Sequence, residues 1–259
     1  MTAAGRAPLG GRAALVTGVS RREGIGFATS RRLLDLGAGV CIQSWTPHDA
    51  AQPSGADPAG IEGVVAALRT GGRVEHVEAD FADAAAPAAV MAAAVAAYGH
   101  IDILVVNHAR SGSGGLADLE AGEIDAFLHE NVRASLLLVQ EYAAQHDGRE
   151  GGRVVLMTSG QHLGPMSSEI AYAVSKGALH QATATLSDAL IDRGITVNAV
   201  NPGPTDTGWA IRGWDPHPAM PLGRWGAPDD AARLIGFLCT DDGGWITGQV
   251  IDSEGGFRR

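Results

Sequence analysis

Short apolar runs alternate with segments of helical periodicity along most of the chain. The runs are typical of buried strands and predict seven of them, at 13–17, 40–43, 74–79, 101–107, 153–158, 196–200 and 249–251. Apolar residues at helical spacing predict helices at 25–36, 61–68, 84–98, 120–145, 172–191 and 228–238. The stretch 46–60, rich in Pro, Asp and Gly, predicts a loop.

Strands that are apolar on both faces and separated by helices indicate a parallel sheet covered on both sides. Right-handed crossovers then give a doubly wound, Rossmann-like α/β fold, whose ligands bind at the carboxyl ends of the strands. No repeat, charge block or linker interrupts the chain. We therefore predict a single domain over 1–259 for dinucleotide binding and catalysis.

Composition excludes several classes of protein. The 259 residues carry a formal net charge of −10, which argues against nucleic-acid or anionic-membrane partners. The longest apolar stretch, 84–98, is shorter than the roughly 18 residues of a membrane span, and residues 1–11 lack the apolar core of a signal peptide. Cys41 and Cys239 have no metal-ligand spacing, and the nine histidines form no HExxH-like set. We expect a cytoplasmic protein without a metal.

A glycine-rich turn, TGVSRREGIG at 17–26, follows the first predicted strand and opens a helix. Backbone amides at a helix N-terminus, uncovered by Cβ atoms, can hold a pyrophosphate. Gly18 would allow the tight turn, Gly24 the close approach and Gly26 the packing of helix on strand. The spacing is not GxGxxG, so an ordinary turn remains the alternative. The predicted cofactor contacts here are Gly18, Ser20, Arg21, Arg22, Gly24, Ile25 and Gly26.

The choice between NADP(H) and NAD(H) depends on charge near this turn. An acidic residue at the end of the second strand would bind a ribose hydroxyl and repel a 2′-phosphate. None occurs there before Asp49, whereas Arg21 and Arg22 could pair with a phosphate. We therefore favour NADP(H). The alternative is that Asp49 binds the ribose and both arginines are solvated.

One lysine stands out among the basic residues. Of 19 Lys and Arg residues, 18 are Arg and one is Lys176. Arg cannot replace Lys where a compact ammonium is required, although chance could also preserve one surface lysine. Tyr172 lies four residues earlier, on the same helix face, and Ser159 precedes Tyr172 by 13 residues at the end of a strand. An ammonium beside a phenol would lower its pKa toward the working range of an acid–base catalyst.

Together these motifs make the chain resemble the compact short-chain dehydrogenase/reductase family over nearly its whole length. The motifs that carry the resemblance are TGVSRREGIG at 17–26, IDILVVNHA at 101–109, HENVRA at 129–134, MTSG at 157–160, YAVSK at 172–176 and NPGPTDTGW at 201–209.

The resemblance implies hydride transfer between the nicotinamide ring and a small-molecule carbonyl or secondary alcohol. Tyr172 would be the proton donor or acceptor, and Ser159 would orient the substrate oxygen. Lys176 would hold the nicotinamide ribose, lower the Tyr172 pKa and lead to a proton relay. Asn131 would hold the relay water through a local helix irregularity.

The resemblance also implies further contacts. The adenine would lie at Asp80 and Phe81, Asn107 would support the cofactor, and the carboxamide would lie at Pro202, Gly203 and Thr205. Members of the family usually pair the helices predicted at 120–145 and 172–191 across a dimer interface, commonly within a homotetramer.

The chain departs from the family pattern at two places. The turn is two residues longer than TGxxxGxG, a spacing also found in the enoyl-reductase branch of the family. In that branch, however, the Tyr and Lys are further apart than in YAVSK, which argues against membership of it. Where the family has NNAG, this chain has Val106-Asn107-His108-Ala109. We favour a hydrogen-bonded structural role for His108 over one facing cofactor or substrate.

The segment 204–227, with Trp209, Trp214, Met220 and Trp225, is either a lid over an apolar substrate pocket or a self-packed loop. Gln161 and His162 could also line that pocket, with His162 equally suited to the surface.

One subtype of this oxidoreductase and one function of another class remain open. A 3-oxoacyl-carrier-protein reductase would need a basic entrance, for which Arg110 and Arg133 are candidates, although the acidic charge does not favour it. A catalytically silent dinucleotide-binding scaffold or sensor is the alternative from another class. The intact Ser, Tyr and Lys set argues against it.

Overall fold

Successive residues of each strand point to opposite faces of a parallel sheet. The computed structural model describes residues 7–52, 54–208, 215–216 and 218–259. Within those residues seven parallel strands form one sheet in the order β3-β2-β1-β4-β5-β6-β7. They are β1 (Ala13–Val16), β2 (Gly39–Ser44), β3 (Val74–Glu78), β4 (Ile103–Val106), β5 (Gly152–Met157), β6 (Ile195–Asn201) and β7 (Val250–Asp252). The predicted doubly wound, Rossmann-like fold is confirmed.

The helices cover both faces of the sheet. They are α1 (Ile25–Asp35), α2 (Thr46–Ala51), α3 (Gly60–Arg69), α4 (Ala86–Tyr98), α5 (Ala121–Phe127), α6 (Ala134–Gln145), α7 (Ile170–Leu190) and α8 (Pro228–Cys239). Val16 and Val105 belong to the core cluster formed with α1, α3 and α8. Their neighbours Leu15 and Leu104 belong to the cluster formed with α4, α6 and α7. This alternation explains why the strands read as continuous apolar runs.

Two predicted segments differ from the structure. The stretch 46–60 is not wholly a loop, because α2 lies within it and has a proline in its first turn, where a missing N–H costs nothing. The single helix predicted over 120–145 is instead α5, a π-helix at Leu128–Arg133 and α6. The apolar periodicity on the two sides of this short π-helix resembles that of one continuous helix. The sequence pattern therefore does not reveal the π-helix.

The strand order determines where a ligand can bind. β1 pairs with β2 on one side and with β4 on the other. The chain therefore proceeds from β1 towards one edge of the sheet and from β4 towards the opposite edge. A crevice opens at such a switch point, beside the carboxyl ends of the strands. The segments that follow β1, β4, β5 and β6 all lie at that edge, and they contain most of the predicted site residues.

No helix among the described residues is long and apolar enough to cross a membrane.

Candidate active site

The glycine-rich turn between β1 and α1 approaches its neighbours closely at two of its three glycines. Gly18 has a φ of +70°, and a Cβ atom there would lie 2.7 Å from the Cα atom of His108. A Cβ atom on Gly26 would lie 2.6 Å from the carbonyl oxygen of Gly18 and 2.7 Å from Nδ2 of Asn107. Asn107 donates from Nδ2 to the carbonyl oxygens of Thr17 and Gly18 at 3.0 and 3.1 Å. The turn is thus held against the end of β4, and Asn107 supports it directly.

The start of α1 presents backbone amides that an anion can use. Its N-cap residue, Gly24, makes no side-chain capping bond, and no acidic residue lies in the first helical turn. Such a helix N-terminus favours a pyrophosphate, so the turn fits a dinucleotide. Beside it lies a cavity, here called the dinucleotide cleft, lined by Gly18, Ser20, Arg21, Gln43, Trp45, His48, Asp49, Gln52, Ser54, Asp80, Phe81, Asn107, His108, Ala109, Arg110, Ser111, Glu130 and Thr207.

The two arginines of the turn have different surroundings. Arg21 lines the dinucleotide cleft and donates from Nη2 to the carbonyl oxygen of Thr207 at 3.0 Å. Arg21 also lies 3.6 Å from Oε2 of Glu23. Arg22 forms a shorter, two-pronged ion pair with Asp57, with Nη2–Oδ1 at 2.7 Å and Nε–Oδ2 at 3.0 Å. The Arg22 guanidinium lowers the pKa of Asp57 to about 2. Of the two predicted phosphate ligands, only Arg21 is among the residues that line the cleft.

The lining of the cleft contains both predicted and unexpected residues. Asp80 and Phe81 line it, as expected for adenine contacts, and so does Asp49. Gln43, which sequence reasoning did not single out, accepts from the Gly18 amide at 3.0 Å and donates to the Ala79 carbonyl oxygen at 2.7 Å. No sequence motif marks this glutamine. Because Asp49 lines the cleft, the NAD(H) alternative stays open.

A second cavity is lined by the predicted catalytic serine and tyrosine, and we call it the catalytic cavity. It shares Ser111 and Thr207 with the dinucleotide cleft. The two spaces therefore meet at these residues. The catalytic cavity is lined by Ile25, Ser111, Ser159, Gly160, Gln161, Met166, Glu169, Tyr172, Asn201, Gly203, Pro204, Thr205, Thr207, Glu254, Phe257 and Arg259.

The pKa of the Tyr172 phenol depends on its burial and on two neighbouring side chains. Burial raises the pKa of Tyr172 to about 12, and the negative charge of Glu169 acts in the same direction, while a hydrogen bond with Ser159 lowers it. Lys176 is not among the groups that shift this pKa, so the expected lowering by Lys176 stays a prediction.

The Lys176 ammonium is directed to the main chain. It donates to the carbonyl oxygen of Met157 at 2.9 Å and lies 5.8 Å from the centroid of the Tyr172 ring. Lys176 is only 3% exposed, and burial lowers its pKa to about 8. Tyr172 and Lys176 do share a helix face in α7, as predicted from their spacing.

Asn131 lies in the π-helix 128–133 and is fully buried. Its Oδ1 accepts from the amide of Arg110 at 2.7 Å, and its Nδ2 donates to the Arg110 carbonyl oxygen at 3.0 Å and to Oγ of Ser175 at 2.9 Å. Asn131 lines neither cavity. The predicted helix irregularity is present, and its asparagine connects the segment after β4 to the residue preceding Lys176.

His108 forms hydrogen bonds on both ring nitrogens and also lines the dinucleotide cleft. Nδ1 lies 2.8 Å from Oγ1 of Thr17, and Nε2 lies 3.0 Å from the carbonyl oxygen of Glu130. A carbonyl only accepts, so Nε2 carries the hydrogen and Nδ1 accepts from the threonine hydroxyl. Burial lowers the pKa of His108 to about 3. The favoured structural role agrees with these contacts, although the ring also borders the cleft.

The segment after β6 forms part of the catalytic cavity. Gly203, with a φ of +65°, and Thr205 line it, whereas Pro202 does not. Thr205 donates from Oγ1 to the carbonyl oxygen of Gly203 at 3.1 Å. Met220 is buried, and Trp209 and Trp214 lie outside the described residues, so the choice between lid and self-packed loop stays a prediction.

Sequence reasoning missed one side of the catalytic cavity. Glu254, Phe257 and Arg259, which follow β7, line it together with Glu169. A Cβ atom on Gly203 would lie 2.8 Å from Cα of Glu254, so the segment after β7 packs tightly on the one after β6. No local motif marks these residues.

Several further candidates are engaged elsewhere. Gln161 lines the catalytic cavity, while His162 lies 3.4 Å from Asp252 and outside that lining. Arg110 pairs with Glu123 and Glu130, and Arg133 donates to main-chain carbonyl oxygens. The two arginines proposed for a carrier-protein entrance therefore already have partners.

Among the described residues, no group of three or more His, Cys, Asp or Glu side chains is placed to hold a metal ion.

Comparison with known proteins gives consistent results. A family model described as enoyl-(acyl carrier protein) reductase matches residues 18–258. The uncharacterized oxidoreductase YjdA of Bacillus subtilis is 42% identical over 95% of this chain and 96% of its own length. Human dehydrogenase/reductase SDR family member 4 is 33% identical over 97% of this chain and 89% of its own. A short-chain dehydrogenase from Burkholderia cenocepacia, solved in complex with NADP, is 35% identical over 96% of this chain and 98% of its own, with a TM-score of 0.84.

Proposed function

The chain belongs to the short-chain dehydrogenase/reductase family of NAD(P)-dependent oxidoreductases, and from this we propose that it reduces a carbonyl compound with NADPH, with Tyr172 as proton donor. The observation that carries this proposal is the meeting of two cavities. Tyr172 and Ser159 line one of them, and the glycine-rich turn lines the other. A substrate oxygen at Tyr172 would therefore lie next to a dinucleotide held at the turn.

A protonated Tyr172 fits the role of proton donor. A phenol whose pKa is raised to about 12 carries its proton at neutral pH and can donate it to an oxygen that gains negative charge. The nicotinamide ring, when bound, supplies the hydride that reaches the carbonyl carbon. Ser159 would donate a hydrogen bond to the same substrate oxygen and so orient it.

Two further residues are proposed to act around Tyr172. Lys176 would bind the nicotinamide ribose, and its pKa of about 8 suits a group that returns a proton to the phenol. Asn131 would hold the relay water at the π-helix. Its hydrogen bond to Ser175 also supports the helical turn that carries Lys176.

We propose NADP(H) rather than NAD(H) as cofactor. Arg21 lines the dinucleotide cleft and could pair with a phosphate, and the related Burkholderia protein contains NADP. Arg22 would contribute by tying the turn to Asp57. The other proposed contacts are Gly18, Ser20, Gly24, Ile25, Gly26, Asp80, Phe81, Asn107, Tyr172, Lys176, Pro202, Gly203 and Thr205.

We further propose that residues 1–259 act as a single domain in a cytoplasmic homodimer or homotetramer. The apolar side chains of Leu136 on α6 and Val174 on α7 are exposed, at 39% and 56%, on the two helices expected to pair. Burying such side chains against a second copy would remove apolar surface from water.

Absorbance of NADPH and NADH at their nicotinamide band, recorded with a panel of ketones, tests the proposal. We expect at least one ketone to oxidise NADPH. If the protein binds the dinucleotide tightly but no ketone oxidises it, the result would instead support the silent scaffold. The description of the matching family model makes enoyl reduction a second candidate function, although the Tyr–Lys spacing of YAVSK argues against it. An enoyl thioester in the same panel distinguishes it, because turnover of the thioester alone would contradict carbonyl reduction.

A further inference from the structure

Three charged side chains, among the described residues, line the catalytic cavity: Glu169, Glu254 and Arg259. Arg259 forms an ion pair with Glu254, whose side chain is only 8% exposed. Glu254 also accepts a hydrogen bond from Nδ2 of Asn201 at 2.8 Å. Because the arginine compensates Glu254, this pair adds no net charge to the cavity.

Glu169 contributes the uncompensated charge. In the part of the chain that the structure describes, it takes part in no ion pair; its Oε2 accepts from Nε2 of Gln161 at 3.3 Å. The amide group of Gln161 carries no charge, so it orients the carboxylate without neutralising it. Within the described ranges, Oε1 of Gln161 is buried and has no hydrogen-bond partner. An unsatisfied buried acceptor is costly, and a donor that reached this corner would reduce that cost.

Glu169 is also electrostatically coupled to the reacting group. It is the N-cap residue of α7, three positions before Tyr172, and its negative charge raises the pKa of the Tyr172 phenol. A carboxylate close enough to affect the phenol also affects any polar group next to the reacting oxygen. A positive or hydrogen-donating group there would be attracted, and a second carboxylate would be repelled.

We propose that Glu169 selects substrates that carry a hydrogen-bond donor, a hydroxyl or a protonated amine, close to the carbonyl that is reduced. This inference rests on the carbonyl reduction proposed above. The remainder of the substrate would contact Ile25, Met166 and Phe257, which give the same cavity an apolar wall. The substrate class is thus an aryl or alkyl ketone with one neighbouring donor, which refines the expectation of a merely apolar compound.

A matched set of ketones tests the proposal. It consists of butyrophenone, the two analogues in which its terminal methyl is replaced by a hydroxyl or an ammonium group, and the keto acid 3-benzoylpropionate. We expect kcat/KM for the hydroxyl and ammonium analogues to exceed that for butyrophenone by about tenfold, the effect of one hydrogen bond to a charged group, with the keto acid poorest. In Glu169→Gln the advantage of the ammonium analogue should fall to about threefold or less. An unchanged advantage in that variant, or none in the wild type, would overturn the proposal.

Binding provides a readout that does not depend on turnover. Calorimetry with the corresponding alcohols should give an amino alcohol Kd about tenfold below that of the plain alcohol, and this ratio should also collapse in Glu169→Gln. Equal Kd values in the wild type would refute the donor preference. A retained preference in the absence of any ketone reduction would refute only the proposed function. The matched control is Glu150→Gln, which removes an exposed carboxylate before β5 and should keep the wild-type ratios.

Discussion

The ammonium of Lys176 donates a 2.9 Å hydrogen bond to the carbonyl oxygen of Met157, two residues before Ser159. This bond joins α7 to the end of β5, and Oγ1 of Thr158 donates in return to the carbonyl oxygen of Lys176 at 3.1 Å. The helix that carries Tyr172 and the strand that leads to Ser159 are therefore connected through the chain's one lysine.

Lys176→Arg should lower kcat by about a hundredfold or more. A planar guanidinium does not fit the site of Lys176, where the side chain is only 3% exposed and the ammonium is hydrogen-bonded to a single carbonyl oxygen. Steady-state rates with a ketone and NADPH measure the loss. Arg149→Lys, at a half-exposed surface arginine, is the control and should keep its rate. Near-normal turnover in Lys176→Arg would show that a compact ammonium is not required.

Tyr172→Phe should reduce turnover about a thousandfold, within the usual range for loss of a general acid, while the Kd for NADPH changes little. Nucleotide fluorescence and the absorbance assay measure the two quantities. Tyr98→Phe is the matched control, since the Tyr98 hydroxyl binds the carbonyl oxygens of Val40 and Arg73 away from both cavities. Full activity in Tyr172→Phe would exclude proton donation by this phenol.

Arg21→Ala should raise the Kd for NADPH about tenfold more than the Kd for NADH. Arg21 lines the dinucleotide cleft, and a phosphate would lose a charged partner. Arg22→Ala should instead lower the thermal midpoint of unfolding, because the buried carboxylate of Asp57 would lose its ion-pair partner. The ratio of the Kd for NADPH to the Kd for NADH should change little in this variant. Fluorescence titrations with both nucleotides separate the cases. Equal weakening of both by Arg21→Ala would favour Asp49 and NAD(H).

Gly26→Ala should destabilise the protein by about 2 kcal/mol, typical of overpacking, and should weaken dinucleotide binding. The added Cβ atom would lie 2.6 Å from the Gly18 carbonyl oxygen, which cannot shift without moving the turn. Urea denaturation and nucleotide titration measure the two effects. Gly122→Ala in α5 is the control, because a Cβ atom at that position would extend into open space. Wild-type stability in Gly26→Ala would contradict the close packing of helix and strand.

Stability should fall as the pH decreases from about 6.5 toward 3. Burial lowers the pKa of His108 to about 3, so between these values the unfolded chain binds a proton that the folded chain does not. Burial also lowers the pKa of His76, His100 and His146, which act in the same direction. His108→Gln should show a shallower decrease of the unfolding free energy with pH in urea titrations. An unchanged slope would mean that His108 does not contribute.

Much of the fold could be predicted from the sequence because its determinants are local. Strands buried on both faces read as apolar runs, and the glycines of the β1–α1 turn are required by contacts within that turn and its neighbouring strand. The spacing of Tyr172 and Lys176 places them on one helix face whatever surrounds the helix. The patterns themselves can be recognised from residues a few positions apart, although the contacts that require Gly18 and Gly26 include His108 and Asn107.

The rest of the site depends on contacts between segments far apart in the chain. Arg22 pairs with Asp57, 35 residues away, and nothing near Arg22 indicates that its charge is already engaged. The pKa of Tyr172 depends on how deeply the phenol is buried, which its helix alone does not determine. Glu169 and the Glu254–Arg259 pair meet in the catalytic cavity only because separate segments converge at the carboxyl edge of the sheet. Spacing along the sequence thus determined which groups are available for chemistry. Tertiary packing decided their charge, partners and access to substrate, because burial and long-range contacts set the electrostatics.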